Sequence, residues 1–375
     1  MTSVGAWPYQ GKASRAFALF IFFIVGGSEL YFEIAFVVLT GGTILVIVEC
    51  ATAIFIKFIG LIKVFNCLLK IKELRALLEQ MASNNGCLLN SSESLIMQDY
   101  TEKGRKITII WSSYVAMAVL TCIGLPVVPA ILATGENATR RLPNPVYCHM
   151  DITDYYYPVL THQVLASWFF CMGIAAADTI FVVCVQHACG MFTVLGYKVR
   201  NAIEEKDENV DMNIIKTNDL TYRNLIGCID HHNKAIKFTE LIESTHNKAF
   251  LFTVGINMVI VSVTGVRLIT VSSETETPVI LRQITTLIGV TTHLFIENYY
   301  GQQLLDHSII AYAEILQCNW YRSSFRTKKL LNLFIMKSFI PSVVTIGGRY
   351  VMCMENFSEV LRLSASYFTI LRSVQ

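Results

Sequence analysis

Apolar residues fall along this chain in runs long enough to cross a bilayer, separated by polar stretches rich in lysine and arginine. About 18 apolar residues in a row suffice for a transmembrane helix. Seven runs meet or approach that length: residues 14–33, 37–61, 107–133, 159–189, 250–271, 279–300 and 339–371. An all-α membrane protein with seven transmembrane helices is predicted. The second run continues amphipathically through Leu68, Leu69, Ile71, Leu74 and Leu77. A helical stripe of Leu225, Ile229, His232, Ile236 and Ile242 precedes the fifth. These extensions are expected to pack together outside the bilayer. The first run follows Lys12 and Arg15 as a signal peptide would. It continues past Gly26 and Gly27 to Tyr31 and Phe32 without a small-x-small cleavage site, so it reads as a span.

Composition agrees. Of 375 residues, 53% are hydrophobic and 15% charged, with a mean hydropathy of +0.49; soluble domains carry about 25% charged residues. A net charge of +2 excludes a polybasic nucleic-acid binder and a disordered chain. The 11 cysteines are scattered and form no disulfide framework, although Cys148, in an outer loop, could pair. No enzyme signature, metal motif or cofactor fingerprint is present. The adjacent His231 and His232 fall on different helix faces. No internal repeat supports a transporter.

Charge sets the orientation. Of the 30 lysines and arginines, 22 lie in the amino-terminal segment and in the stretches after spans 2, 4 and 6. The turn after span 1 has none, and the loop after span 3 has only Arg140 and Arg141. The positive-inside rule then puts the amino terminus in the cytosol and the carboxyl terminus outside. That is opposite to a G-protein-coupled receptor, and no Asp-Arg-Tyr or Asn-Pro-x-x-Tyr occurs at the expected places. Asn137-Ala138-Thr139 is a glycosylation sequon in the outer loop after span 3.

Charged residues inside spans are expensive, so they mark function or buried pairs. Glu49 and Lys57 in span 2, Asp178 in span 4 and Glu297 in span 6 are candidates for interhelical pairing or snorkelling. Span 7 differs because its polar residues repeat: Glu355, Glu359, Arg362, Ser366, Thr369 and Ser373 follow 4-3-4-3-4 spacing. That spacing makes one stripe along a helix. The stripe either packs against other spans of the chain or, repeated around a symmetric assembly, lines a hydrated pore. Ile370 at its edge would form an aliphatic ring, a plausible dewetting gate. Pro341 and Gly347-Gly348 predict a break between an inner helix over about 324–339 and a membrane piece after residue 348. With three residues beyond Arg372, the last helix is expected to be the working part.

The carboxyl-terminal motifs resemble the insect odorant receptor family. The residues concerned are Tyr299-Tyr300-Gly301, Tyr312, Asn319-Trp320-Tyr321, Lys328-Lys329, Pro341, Phe357 and, above all, Ser364-Ala365-Ser366-Tyr367-Phe368-Thr369-Ile370-Leu371, with His232 in the stretch before span 5. Related gustatory receptors usually end in a Thr-Tyr…Gln-Phe pattern, from which this chain departs. The resemblance implies a tetrameric, ligand-gated, non-selective cation channel whose pore is lined by the last span. It implies a cytosolic tail over 1–13, a bundle over 14–338 and a pore-forming part over 339–375. The loop between spans 4 and 5 is much shorter than the family's co-receptor carries. The chain therefore looks like an odour-tuning subunit that assembles with co-receptor subunits in the plasma membrane, among lipid, and passes cations. Ile370 would be the gate, and Ser373 would occupy a pore position where co-receptors tend to have Gln. The alternative is a gustatory-like autonomous channel.

The same resemblance places a small volatile ligand in the outer half of the bundle between spans 2 and 6. Candidates there are Ile44 and Ile47 in span 2, and Met117, Thr121 and Cys122 in span 3. Span 4 offers Trp168, Cys171, Met172 and Ala175, and span 6 offers Thr286, Leu287 and Val290. Aromatic rings would stack on a planar ligand and methionine would adapt to its shape.

Overall fold

The structure, a computed structural model, describes residues 1–39, 44–86, 91–132, 142–148, 154–204, 220–270 and 277–373. Within them the chain is helical almost throughout, as lipid requires, because a helix satisfies its backbone N–H and C=O groups internally. The principal helices are α1 (Lys12–Leu39), α2 (Ile44–Leu69), α3 (Ile71–Gly86), α4 (Ser91–Leu132), α5 (Tyr156–Glu204), α6 (Leu220–Thr270), α7 (Thr277–Gln317), α8 (Phe325–Ser338) and α9 (Met354–Ser373). Six of these, α1, α2, α4, α5, α6 and α7, contain stretches long and apolar enough to cross a membrane. Expected spans 1, 4 and 6 lie within α1, α5 and α7, and spans 3 and 5 lie within α4 and α6 but for Ala133 and Val271; expected span 2 starts too early, since residues 37–39 belong to α1 and α2 begins at Ile44.

The helices are much longer than a bilayer is thick. At 1.5 Å per residue, the 51 residues of α6 reach about 77 Å, against a hydrocarbon core of about 30 Å. The surplus packs into a second layer beyond the span region. α5 is its axis: from Phe181 to Val199 nearly every residue is buried, as expected of a helix that is apolar all round. Leu74 and Leu77 of α3, and Leu225, Phe238 and Ile242 of α6, are fully buried there. His231 Nε2 meets the Met191 carbonyl at 2.9 Å, and His232 lies edge-on to Phe334 at 5.3 Å. The two histidines therefore serve separate packing roles. The segment before α1 is not a loose tail: Val4 and Ala6 are buried, and a Cβ on Gly173 of α5 would meet Val4.

The break before α9 is more structured than a kink. Ser324 caps α8, its hydroxyl accepting from Thr327 N–H at 3.2 Å. After α8 the chain leaves helical geometry and forms an antiparallel hairpin, β1 (Thr345–Ile346) against β2 (Tyr350–Val351), with Thr345 opposite Val351. Gly347 and Gly348 sit in its turn at φ 63° and 74°, which only glycine adopts readily. The paired glycines thus close a hairpin as well as interrupting a helix. Val344 and Met352 are fully buried on either side of it. Gly347 N–H donates to the Asn247 carbonyl of α6 at 3.0 Å.

The seating of Met352 beside this hairpin explains Gly301 of α7. A Cβ there would land on the Cβ and carbonyl oxygen of Met352. Backbone cannot swing aside, so Gly301→Ala is expected to destabilise the chain by about 1–3 kcal/mol. Thermal melting of the purified protein checks this; an unchanged midpoint would show that the hairpin is not held against α7.

Candidate functional site

A cavity of about 210 Å³ opens between α2, α4, α5, α6 and α7. Its walls are mostly apolar: Ile56 of α2, Tyr114 and Ala118 of α4, Phe170 and Ile174 of α5, and Val290 of α7. Its roof is Pro143 and Asn144, from the stretch between α4 and α5. That stretch is tied to three helices. Gln163 Nε2 donates to the Asn144 carbonyl at 2.9 Å, Tyr147 N–H to the Phe32 carbonyl at 3.0 Å, and Arg282 to the Pro143 carbonyl. The cavity is therefore covered by ordered backbone at one end of the bundle.

Its floor is polar. His293 of α7 is where four other helices meet, its Nε2 lying 3.3 Å from Asp178 Oδ2 of α5. Its Nε2 lies 2.7 Å from Lys63 Nζ of α2, its Nδ1 lies 3.1 Å from the side-chain amide of Asn257 of α6, and its ring stacks on Trp111 of α4 at 6.4 Å and 18°. Beneath it Lys63 pairs with Asp178 of α5 and, at 2.6 Å, with Glu297 of α7. These three charges are almost wholly buried. Asp178, His293 and Glu297 hold ligand atoms within 4.8 Å of one another, close enough to grip a metal ion. Lys63 already supplies a cation to all three, and a metal would have to displace it.

A second cluster joins α1 to the bundle. Lys57, which lines the cavity, pairs with Glu33 and, at 3.3 Å, with Glu29. Glu29 also meets His162 of α5 at 3.1 Å, and that ring meets Ser28 at 2.8 Å. Of the in-span charges singled out in the sequence, Lys57, Asp178 and Glu297 are thus interhelical partners, whereas the Glu49 side chain lies outside the described residues. Lys63 corrects the sequence reading: counted there with the loop after span 2, it is buried inside α2.

The expected ligand residues divide. Cys122, Cys171, Thr286 and Val290 line the cavity. Ile47, Met117 and Trp168 are exposed on the outside of the chain, at 40%, 63% and 39%. Thr121 is exposed and donates to its own helix at the Met117 carbonyl, 2.9 Å away. Met172 and Leu287 are half-buried and Ala175 is buried, none of them at the cavity wall. The Ile44 side chain, the Ser373 side chain and all of Asn137 lie outside the described residues. The sequence reading did not pick out Trp111, Tyr114, Asn257 or His293. The spacing of Trp111, Val115, Ala118 and Cys122 was the available signal, since it marks one helix face.

Comparison with known proteins decides the family. The sequence model described as "7tm Odorant receptor" matches residues 43–365. The chain belongs to the odorant receptor family. It is 20% identical to odorant receptor 13a of Drosophila melanogaster over 386 residues, covering 98% of this chain and 90% of that one. It is 26% identical to odorant receptor 30a of the same fly over 295 residues, covering 76% and 72%. Its fold matches the olfactory receptor OR5 of Machilis hrabei, solved in complex with eugenol, at a TM-score of 0.82 and 11% identity, covering 100% of this chain and 96% of that one. A second structure of the same OR5 matches at a TM-score of 0.78 and 11% identity, covering 98% of this chain and 93% of that one. The protein is a multi-pass membrane protein with the odorant receptor fold.

In this odorant receptor the last helix has two opposite faces. Ser364 is buried, Phe357 and Val360 pack against the core, and the Ser364 carbonyl accepts from Ser262 of α6 at 3.0 Å. Phe368 lies on Gly265, where a Cβ would come within 3.0 Å of the ring. On the other side Glu355, Glu359, Arg362, Ser366 and Thr369 are all exposed, beside Ile370 at 56%. Among the described residues, the polar stripe therefore does not pack against the chain's own bundle.

Proposed function

We propose that this chain is the odorant-binding subunit of a heterotetrameric, ligand-gated, non-selective cation channel in the plasma membrane. Its partners would be co-receptor subunits, a small volatile ligand and the permeating cations. The observation that carries the reading is the covered, mostly apolar cavity with a few convergent polar groups, the form that small-molecule sites take. The amino terminus would be cytosolic and the carboxyl terminus outside, which puts the cavity in the outer half of the bundle.

Residues 339–375 would form the pore, with the exposed stripe of α9 facing water and Ile370 as the gate. A stripe of two carboxylates, one arginine and several hydroxyls is net negative and so suits cations, and an aliphatic ring can close a pore by dewetting. α6 connects the two sites. Asn257 at the cavity floor and Ser262, which holds α9, are five residues apart on one helix, about 7.5 Å. A ligand that fits the cavity better when α6 is displaced would shift α9 with it. It would bias the gate only by its difference in affinity for the two states.

The pore assignment is tested by Ile370→Lys in cells that also express co-receptor subunits. A lysine ring position should cut cation current by about tenfold or more, since one positive charge about 4 Å from a permeating ion opposes it by roughly 1–4 kcal/mol. Whole-cell reversal potentials should move as well. Wild-type current amplitude and selectivity would instead limit α9 of this subunit to a bystander.

A further inference from the structure

We infer that the cavity floor is built for an oxygen that only accepts hydrogen bonds, so that the compounds recognised are neutral carbonyl compounds (ketones, aldehydes or esters) rather than alcohols or hydrocarbons. This rests on the cavity being the odorant site, as proposed above. The Lys63 ammonium has donors and no acceptor, and its Nζ, 2.7 Å from His293 Nε2, is closer to that nitrogen than Asp178 Oδ2 at 3.3 Å or Glu297 Oε1 at 3.4 Å. Nε2 therefore presents its lone pair, and the ring proton sits on Nδ1.

The structure places Asn257 Nδ2 3.1 Å from His293 Nδ1 and leaves Oδ1 without a partner, whereas a proton on Nδ1 can be received only by the amide oxygen. A half-turn of the amide exchanges oxygen and nitrogen without changing its outline. Asn257 settles with its oxygen on the ring and its NH2 at the amide position that has no hydrogen-bond partner. Trp111, stacked on the same imidazole, has an indole N–H that is buried and unpartnered too, and indole can only donate. Both residues line the cavity and are more than nine-tenths buried.

Two unsatisfied N–H groups thus flank one ring, and the unpartnered acceptors described nearest that ring, Asp178 Oδ2 and Glu297 Oε2, belong to side chains off the cavity wall. Asp178 and Glu297 are turned to Lys63 and are not at the cavity wall. The unpartnered Gln283 oxygen is ten residues earlier on α7, about 15 Å away. A carbonyl oxygen has two lone pairs and nothing left over. An alcohol in the same place would need a further acceptor for its own proton, with only wall hydroxyls such as that of Tyr114 to receive it, and a hydrocarbon would leave both N–H groups unsatisfied.

The test is whole-cell current from cells expressing this chain with co-receptor subunits, using triplets that share a carbon skeleton. Acetophenone, 1-phenylethanol and ethylbenzene form one; 2-heptanone, 2-heptanol and heptane form another, within a panel of such triplets of graded size. The carbonyl member should activate at about tenfold lower concentration than its alcohol. Trp111→Phe and Asn257→Leu, each keeping the shape of the site, should bring that ratio towards one. Alcohols equal to or better than carbonyls, or a preference that survives in the two variants, would overturn the carbonyl assignment and leave the cavity as the odorant site. Silence across the panel, with the channel at the cell surface, would overturn the cavity reading and this inference with it.

Discussion

Lys63→Met is expected to be the most damaging single substitution in the bundle. Lys63 is the cation between two buried carboxylates, Asp178 and Glu297. Removing it leaves both acids without compensation, which costs about 3–5 kcal/mol when one partner of a buried pair is lost. That is a large share of the 5–15 kcal/mol that holds a typical fold. The expected result is loss of monodisperse protein on detergent size exclusion and of surface labelling in cells. Lys63→Met combined with Asp178→Asn and Glu297→Gln should recover much of both, because replacing the whole cluster removes the charges that need a partner. A single variant that behaves like the wild type would mean that the cluster is hydrated and contributes little.

Gly289→Phe should abolish ligand response while leaving the fold intact. Gly289 lines the cavity, and a Cβ built on it meets nothing within 4 Å. The ring would grow into the space proposed for the ligand and fill much of about 210 Å³. Sensitivity to an activating volatile should fall by about 100-fold or more, equivalent to at least about 2.7 kcal/mol of binding. The check is a concentration–response curve beside surface labelling. Normal labelling with an unshifted curve would place the activating site elsewhere.

The helices were legible in the sequence because lipid permits little else, and α9 was legible because its stripe has a period that only a helix satisfies. Other features were not. An apolar run does not say which of its faces meets lipid and which meets a cavity. Met117 and Ala118 are neighbours about 100° apart around α4; one points out of the chain and the other lines the cavity. On α5 the same one-residue offset separates Trp168 from Ser167.

Charges were misplaced for a related reason. Lys63 stands at the polar end of an apolar run, where a lysine ordinarily snorkels to water. Only the approach of Asp178 and Glu297, 115 and 234 residues away, turns it inward. Such long-range pairings leave no local pattern. Trp111, Asn257 and His293 were hidden in the same way. Each is an ordinary residue on its own helix and becomes a site only where α4, α6 and α7 meet. The hairpin before α9 was half visible: Gly347-Gly348 marked a break, but the pairing of Thr345 with Val351 depends on the groove between α6 and α7 that receives it.

The central claim is that this odorant receptor binds a volatile in its own cavity and opens a cation pore together with co-receptor subunits. Whole-cell current is its most direct test, with this chain expressed alone, co-receptor expressed alone, and the two together, against a broad volatile panel. The account predicts a ligand-evoked cation current in the co-expressing cells beyond that of the co-receptor, and none from this chain alone. A current of equal size and ligand profile from this chain alone, or no added current with both subunits labelled at the surface, would contradict it.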